Sequence, residues 1–463
     1  MKPNVIFILV DDLGWAEPGC YGNALNETPS IDALAERGAR FTTAYASSTV
    51  CSPSRAGLMT GQTPPRNGIT DYLRPDTDWH IPLKEGGFFD NELPEDTDYH
   101  LNLDLVVLPQ MFKQAGYTTG MIGKWHLSGY DEDGVKHGPE KYGFDDVRIS
   151  ERVGIAGGSY FHPYTRVDAS IEPVLGENEF LVDRMNYEAV QFIKEHKDEP
   201  FFLYLSHYAV HTTLVGKTED VEYFSERAGC TDVPYEHRNR LPEKNPVLAA
   251  MLRSIDDGVG TIRETLIELG LEEDTIIVFT SDNGGEARVT VNGHLRGGKS
   301  MTYEGGLRVS MIVEYPGVTA PGSVIAIPTI NLDFYPTFAE IVGYEIPGTH
   351  ITDGASILPL LAGDTSTEDL AGRLFSWHYP LEQPHFLGGR SSAANRKDDM
   401  KYIHFFDDGS DELYNLKEDE SETTNLADLL PAKRKQHRVL LRNWITEVKG
   451  AIPEGQVFPS WET

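Results

Sequence analysis

Cys51-Ser52-Pro53-Ser54-Arg55-Ala56-Gly57-Leu58-Met59-Thr60-Gly61 is the stretch of this chain whose residue types are hardest to read as packing alone. Pro53 suits the first turn of a helix, where its missing N–H costs nothing. Cys51 then sits at the positive end of that helix, which lowers a thiol pKa and attracts anions. Arg55, a turn later, reaches back to the same spot. The plainer reading of a lone cysteine is a buried core residue. Here, however, the chain carries further chemistry-bearing clusters. Asp11-Asp12 and Asp282-Asn283 each close an apolar run and offer only oxygen ligands, which suits Ca²⁺ or Mg²⁺. Singly, such pairs are turn or cap residues. Lys124, His126, His211, Arg55 and Lys299 form a cationic and proton-transfer set, with Lys299 preceded by Gly297-Gly298. Paired glycines there imply close backbone approach to something.

The elements that must position these groups follow from periodicity. Asn4–Val10 is a continuous apolar run, as expected of a strand buried on both faces. Further strands are expected over 117–122, 201–206, 275–280 and 310–314. Helices are expected over 30–37, from Cys51 onward, and over 105–114, 178–196, 247–269 and 333–342. Residues 62–104, 128–176 and 212–246 read as three long irregular regions. Strands alternating with helices point to a mainly parallel central sheet flanked by helices. In such sheets ligands bind at the carboxyl ends of the strands, so residues distant in sequence converge on one mouth. The pattern changes near residue 363. Short antiparallel strands are expected over 374–377, 401–406 and 412–416, then a helix over 431–448. The expected organisation is a catalytic domain, 1–362, and a smaller C-terminal α+β subdomain, 363–463.

Bulk composition narrows the function classes. The formal net charge is −32, from 40 Lys+Arg against 72 Asp+Glu. This argues against nucleic acid as a partner, since phosphate neutralisation needs basic patches. An anionic substrate remains compatible if positive groups concentrate at one site beneath an acidic surface. No run of about 18 apolar residues appears, so no membrane span is expected. The start, Met1-Lys2-Pro3-Asn4, runs into a core strand without a small-residue cleavage site. A periplasmic or secreted protein without its signal peptide is expected, with a cytoplasmic location as the alternative. Cys20, Cys51 and Cys230 show no zinc spacing, and a Cys20–Cys230 bridge is the single disulfide the count allows beside Cys51.

The order of motifs resembles one family along nearly the whole chain. Asp-Asp-Leu-Gly-Trp, Cys-Ser-Pro-Ser-Arg, Gly-Lys-Trp-His-Leu, Ala-Val-His, Ser-Asp-Asn-Gly-Gly, Leu-Arg-Gly-Gly-Lys and Glu-Gly-Gly-x-Arg-Val occur in sequence. They are similar to those of the type I sulfatases, which have an alkaline-phosphatase-like fold, and the closest likeness is to bacterial polysaccharide sulfatases. Asp411–Glu420 resembles the family's closing motif. In that family the cysteine is oxidised by a formylglycine-generating maturation enzyme, and the hydrated aldehyde attacks sulfur. The resemblance implies that Asp11, Asp12, Asp282 and Asn283 bind calcium together with the modified Cys51. It implies that Arg55 and Lys124 hold the formylglycine hydrate and that Lys124 and Lys299 bind sulfate. His211, assisted by Lys299, would protonate the leaving alcohol, and His126 would take a proton as sulfate is expelled. These roles match what a sulfate ester needs: positive charge on its non-bridging oxygens, a proton for the leaving oxygen and an activated nucleophile. A histidine near neutral pKa is expected to supply that proton. Val210 and Thr213 stand where the family often has proline, and Ser128 where it has glycine.

The irregular regions would form the rim. Tyr72, Arg74, His80, His162, Arg166, His294, His378 and Arg390 are the polar candidates there, His294 foremost for its closeness to Lys299. A rim rich in His, Arg and aromatic groups suits sugar faces and hydroxyls. The expected function is removal of sulfate from a sulfated glycan by exo action. An arylsulfatase or a phosphonate monoester/phosphodiester hydrolase of the same superfamily is the alternative. A non-catalytic sulfoglycan-binding protein is the alternative of another class.

Overall fold

The computed structural model describes residues 2–73, 100–128, 137–150, 154–364 and 366–456. Nine strands build the main sheet: β1 (Asn4–Val10), β2 (Ala39–Tyr45), β3 (Thr118–Gly123), β4 (Asp146–Arg148), β5 (Phe201–Ser206), β6 (Thr275–Ser281), β7 (Arg308–Glu314), β8 (Ser323–Ile325) and β9 (Thr329–Ile330). Their spatial order is β4-β3-β5-β1-β6-β7-β2-β8, with β9 beside the end of β2. Pairing is parallel throughout except around β7, which runs antiparallel to both β6 and β2. The mainly parallel sheet expected from the alternating pattern is thus present.

β1 shows why the fold closes. Its side chains alternate across the pleat, so Ile6, Ile8 and Val10 enter one core layer and Val5, Phe7 and Leu9 the other. The first layer is covered by the helices Leu181–Glu195 and Pro246–Leu269, the second by Cys51–Thr60, Leu108–Gln114 and Phe334–Val342. Each fully buried aliphatic or aromatic side chain contributes roughly 1.5–3 kcal/mol, an upper figure because denatured chains already bury some surface. The long helix starts cleanly because the Asn245 side chain accepts from the N–H groups of Val247 and Leu248, and it stops at Gly270 in the left-handed region.

A second sheet of four antiparallel strands follows: β10 (Leu374–Tyr379), β11 (Ser392–Lys397), β12 (Met400–Phe405) and β13 (Asp411–Asn415), with the helix Pro431–Val448 packed against it. Trp377, Ile403, Phe405 and Tyr414 join Tyr45 and Leu307 in a shared apolar cluster. Beside it lies a buried polar clamp. Lys401 Nζ reaches Glu304 at 3.0 Å and Glu422 at 2.9 Å, all three side chains fully buried. The Tyr45 hydroxyl donates to Glu304 at 2.8 Å, and the Glu304 N–H donates to Glu422 at 2.6 Å.

Several expectations need correction. β2 was not anticipated, because Ala39-Arg40-Phe41-Thr42-Thr43 follows Gly38 directly and carries little apolar signal. β11 was missed because Ser-Ala-Ala-Asn-Arg-Lys has no large apolar residue, although it lies between two strands. The polar stretch 212–246 contains a helix, Thr218–Ala228, which buries only Val221, Phe224 and Ser225. Cys20 and Cys230 are both free thiols, so they form no bridge. Among the described residues, no helix is long and apolar enough to cross a membrane.

Removing one partner of a buried ion pair leaves an uncompensated charge, so Lys401→Ala is expected to cost about 3–5 kcal/mol. A urea unfolding curve measures it; an unchanged midpoint would show that the clamp adds nothing to stability.

Candidate active site

All the clusters singled out in the sequence lie at one edge of the main sheet. Asp11 follows β1, Lys124 follows β3, His207–His211 follow β5 and Asp282 follows β6. Cys51 begins the helix that comes after β2. Parallel strands bring their carboxyl ends together, and the register brings them level: Leu9 is beside Ser206, Val10 is beside Ser281, and Gly123 is beside Ser206.

Three carboxylates and three cations interlock there, all buried. Lys124 Nζ lies 2.7 Å from Asp11, and Lys299 Nζ lies 2.7 Å from Asp12. Arg55 Nη2 is 2.7 Å from Asp282, and its Nη1 donates to the Lys124 carbonyl and the Ser206 hydroxyl. Cys51 Sγ stands 3.5 Å from both Asp11 Oδ1 and Lys299 Nζ. Lys299 Nζ lies 3.0 Å from His211 Nε2, and His211 Nδ1 lies 2.6 Å from the Thr212 carbonyl. Since a carbonyl only accepts, Nδ1 carries the proton and Nε2 accepts from the lysine. His126 Nε2 lies 2.8 Å from the Leu73 carbonyl.

Asp11, Asp12 and Asp282 each place a carboxylate oxygen within 4.8 Å of the others. The Asn283 amide donates to Asp12 at 2.8 Å, while its own Oδ1 is buried with no hydrogen-bond partner. An orphaned oxygen beside three carboxylates is costly without a cation. The donor set is oxygen throughout, so the four residues fit a hard divalent ion of the Ca²⁺ or Mg²⁺ type.

The electrostatics differ from two sequence expectations. Cys51 lies at a helix start, yet burial raises its thiol to about 12, with Asp11 and Asp282 adding to the rise against Lys124 and Lys299. Desolvation thus outweighs the helix end. His211 is not near neutral pKa. Burial, then the charge of Lys299, lowers it to about 3, and the proton resides on the lysine. Burial also raises Asp11 to about 7, with Asp282 and Asp12 adding to it against Lys124. Asp12 is held below its ordinary value because Lys299, His211 and Lys124 overcome its burial.

Left-handed backbone occurs at the same place. Asp12, His126 and Ser300 have φ of 59°, 57° and 72°, in the left-handed region that side chains other than glycine seldom occupy. The peptide bonds preceding Val210 and Thr213 are both cis.

The structure sorts the remaining candidates. His162 and Arg166 lie on the loop that meets the site at Gly154, and Tyr160 of that loop donates to the His211 carbonyl. Arg74 and His80 lie outside the described residues. His294 is exposed but paired with Glu420 at 2.7 Å and edge-on to Trp15. Arg390 pairs with Asp407 and Asp408 over the ring of Phe405. His378 is corrected from rim to core: it is 2% exposed and bonded to the Ala451 carbonyl, because β10 turns it under the C-terminal segment.

Sequence reasoning missed Ser206, which fixes Arg55, and Glu17. The Glu17 carboxylate accepts from Thr290 Oγ1 and the Val291 N–H, both at 2.6 Å, tying the loop after Asp12 to the loop before Lys299. It also missed Gly154, where a Cβ would lie 2.0 Å from the His126 ring. None of the three stands in a repeated or clustered pattern. Gly154→Ala is expected to shift that ring and lower kcat about 10²-fold, as small misplacements of catalytic groups do. Steady-state kinetics with a melting curve checks this; a kcat equal to wild type would show that the ring does not depend on the contact.

Comparison with known proteins agrees with this geometry. The sulfatase family model matches residues 3–344, and the model described as N-sulphoglucosamine sulphohydrolase, C-terminal, matches 294–448. A sulfatase of Formosa agariphila is 30% identical over 98% of this chain and 90% of its own length. Human arylsulfatase A is 31% identical over 88% of this chain and 76% of its own. The structure of Ps i-CgsB in complex with k-i-k-neocarrahexaose superposes with a TM-score of 0.78 at 28% identity, covering 98% of this chain and 96% of that one. The family-model match over residues 3–344 and the relative at 30% identity make the chain a member of the sulfatase family, a sulfuric ester hydrolase.

Proposed function

We propose that this protein removes sulfate from a sulfated carbohydrate by exo action, with a formylglycine made from Cys51 by a maturation enzyme. The observation that carries the mechanism is the position of Cys51 Sγ, 3.5 Å from both a carboxylate of the cation site and the Lys299 ammonium. A soft thiolate matches a hard, oxygen-ligated cation poorly, whereas an oxygen at the same position matches it well. At position 51 a formylglycine would supply an oxygen nucleophile, and a Ca²⁺ or Mg²⁺ ion would supply positive charge for the sulfate oxygens.

The chain's own groups do the rest. Asp11, Asp12, Asp282 and Asn283 would hold the ion, with Arg55 keeping Asp282 in place. Lys124 and Lys299 would bind the sulfate oxygens. The proton for the leaving oxygen is carried by the Lys299–His211 pair, in which Thr212 fixes the imidazole tautomer. His126, oriented by the Leu73 carbonyl, would accept the proton released at position 51 when sulfate departs.

Two observations support a chain-end sugar as substrate. Cys51 is 2% exposed, and His211, at 13%, is the most exposed side chain of the catalytic set. A group this deeply buried is reached more readily by a terminal residue than by the middle of a polymer. The similar structure of Ps i-CgsB is in complex with k-i-k-neocarrahexaose, which supports a sugar as substrate.

Incubating the enzyme with a panel of defined sulfated saccharides, read out by NMR, tests the substrate class. Desulfation at a non-reducing or reducing end is expected; a preference for phosphodiesters would overturn the reading. His211→Ala is expected to lower turnover of alkyl sulfates by about 10²–10⁴-fold, the span of general acid catalysis, and to affect 4-nitrophenyl sulfate far less. Equal losses on both substrates would refute its role in protonation.

A further inference from the structure

The side of the site on which the leaving group must lie can be located. With His211 protonating the leaving oxygen, as proposed above, the rest of the sugar would extend over the surface beyond it. From His211 the structure leads outward through one connected set of side chains. Thr212 Oγ1 donates to Glu286 Oε2 at 3.0 Å. The other oxygen of Glu286 accepts from Arg288, whose Nη2 lies 2.6 Å away. The Arg288 guanidinium lies 5.8 Å from the ring centroid of Phe386. Arg288 has a 61% exposed side chain, and Phe386 is 54% exposed, one of the most exposed aromatic residues.

Phe386 comes from the C-terminal part of the chain, yet it is anchored at the catalytic edge. Gly389, three residues on, packs so closely on Ser300 that a Cβ would lie 2.0 Å from the Ser300 carbonyl oxygen. Ser300 is the neighbour of Lys299, and its N–H donates to Thr49, two residues before Cys51. The turn is closed by the His385 N–H donating to the Gly389 carbonyl at 2.8 Å. His385 stacks on Phe386 with ring centroids 4.4 Å apart and stands edge-on to Tyr72, on the loop whose Leu73 carbonyl orients His126. Tight anchoring holds the exposed part of the ring in a fixed place, as a contact surface requires.

We propose that Phe386 and Arg288 form a subsite for the leaving-group side of the substrate, where the exposed part of the Phe386 ring packs on a sugar face and the outward edge of Arg288 binds a second anionic group of the saccharide. This rests on the carbohydrate reading above. Glu286 engages only two of the guanidinium nitrogens, Nε and Nη2, and an arginine fork matches sulfate or carboxylate geometry. Aromatic rings are good partners for the apolar faces of sugars for the same reason that they dominate other contact surfaces. The two residues therefore select a saccharide that carries a further negative charge beyond the scissile sulfate.

The test is steady-state kinetics of Phe386→Ala and Arg288→Gln on the best substrate from a panel of sulfated mono- and oligosaccharides, with 4-nitrophenyl sulfate as the comparison that lacks a sugar. Each variant is expected to raise KM for the oligosaccharide about tenfold, the size of one aromatic or charge-assisted contact, with kcat near wild type. The rise should be clearly smaller on 4-nitrophenyl sulfate, and Phe386→Tyr should restore the wild-type KM. An unchanged KM on an oligosaccharide that the wild type desulfates overturns the subsite and leaves the carbohydrate reading standing. Equal losses on both substrates also overturn the subsite. A wild type that hydrolyses 4-nitrophenyl sulfate and no saccharide overturns the subsite together with the carbohydrate reading.

Discussion

Three carboxylates buried in one place are the constraint around which the rest of this protein is arranged. Asp11, Asp12 and Asp282 sit within a few ångströms of one another, out of water. Left alone they would repel strongly in a medium of low polarisability. Arg55, Lys124 and Lys299 answer them one for one. With all six groups ionised the cluster is formally neutral, and a divalent ion would add two positive charges. This reconciles an anionic substrate with a chain whose formal net charge is −32. The attraction is local and buried, where salt screens it little, while the acidic surface lies farther out.

Holding six charged groups in register demands rigidity from several directions. The parallel strands deliver Asp11, Lys124 and Asp282 at one level. The Asp282 loop is then pinned from behind: the Gly284 N–H donates to the Gly306 carbonyl, and a Cβ on Gly284 would lie 1.9 Å from the Gly305 carbonyl oxygen. Gly305 and Gly306 follow Glu304, the residue gripped by Lys401 and Tyr45. The second sheet thus does more than cover apolar surface, since its buried lysine fixes the turn on which the cation loop leans. Positive φ at Asp12, His126 and Ser300 fits the same picture, because such conformations persist only where the surroundings hold them.

Much of this was legible in the sequence because the physical signals are strong. Continuous apolar runs marked β1, β5 and β6, and polar pairs at their ends marked the catalytic edge. Cys51 with Pro53 and Arg55 marked the helix whose start lies at that edge. What stayed hidden had weak local signals. β2 offers only Phe41 and Tyr45 as large apolar residues and β11 none, and the helix Thr218–Ala228 shows water most of its surface. The rim was the least legible part. Whether a histidine or arginine faces a mouth or a carboxylate partner depends on residues far away in sequence, as His294 with Glu420 and Arg390 with Asp407 show. The state of His211 was also misjudged, because its burial, and then the charge of Lys299 acting across 3.0 Å between residues 88 positions apart, only appear once the chain is folded.

The chemistry proposed for this site depends on what occupies position 51 in working enzyme. Mass spectrometry of the peptide spanning Cys51, taken from protein whose specific activity has been measured in the same sample, addresses it directly. The predicted result is a formylglycine whose fraction rises in proportion to activity across preparations made with and without the maturation enzyme. An unmodified cysteine in fully active protein would contradict an oxygen nucleophile at position 51.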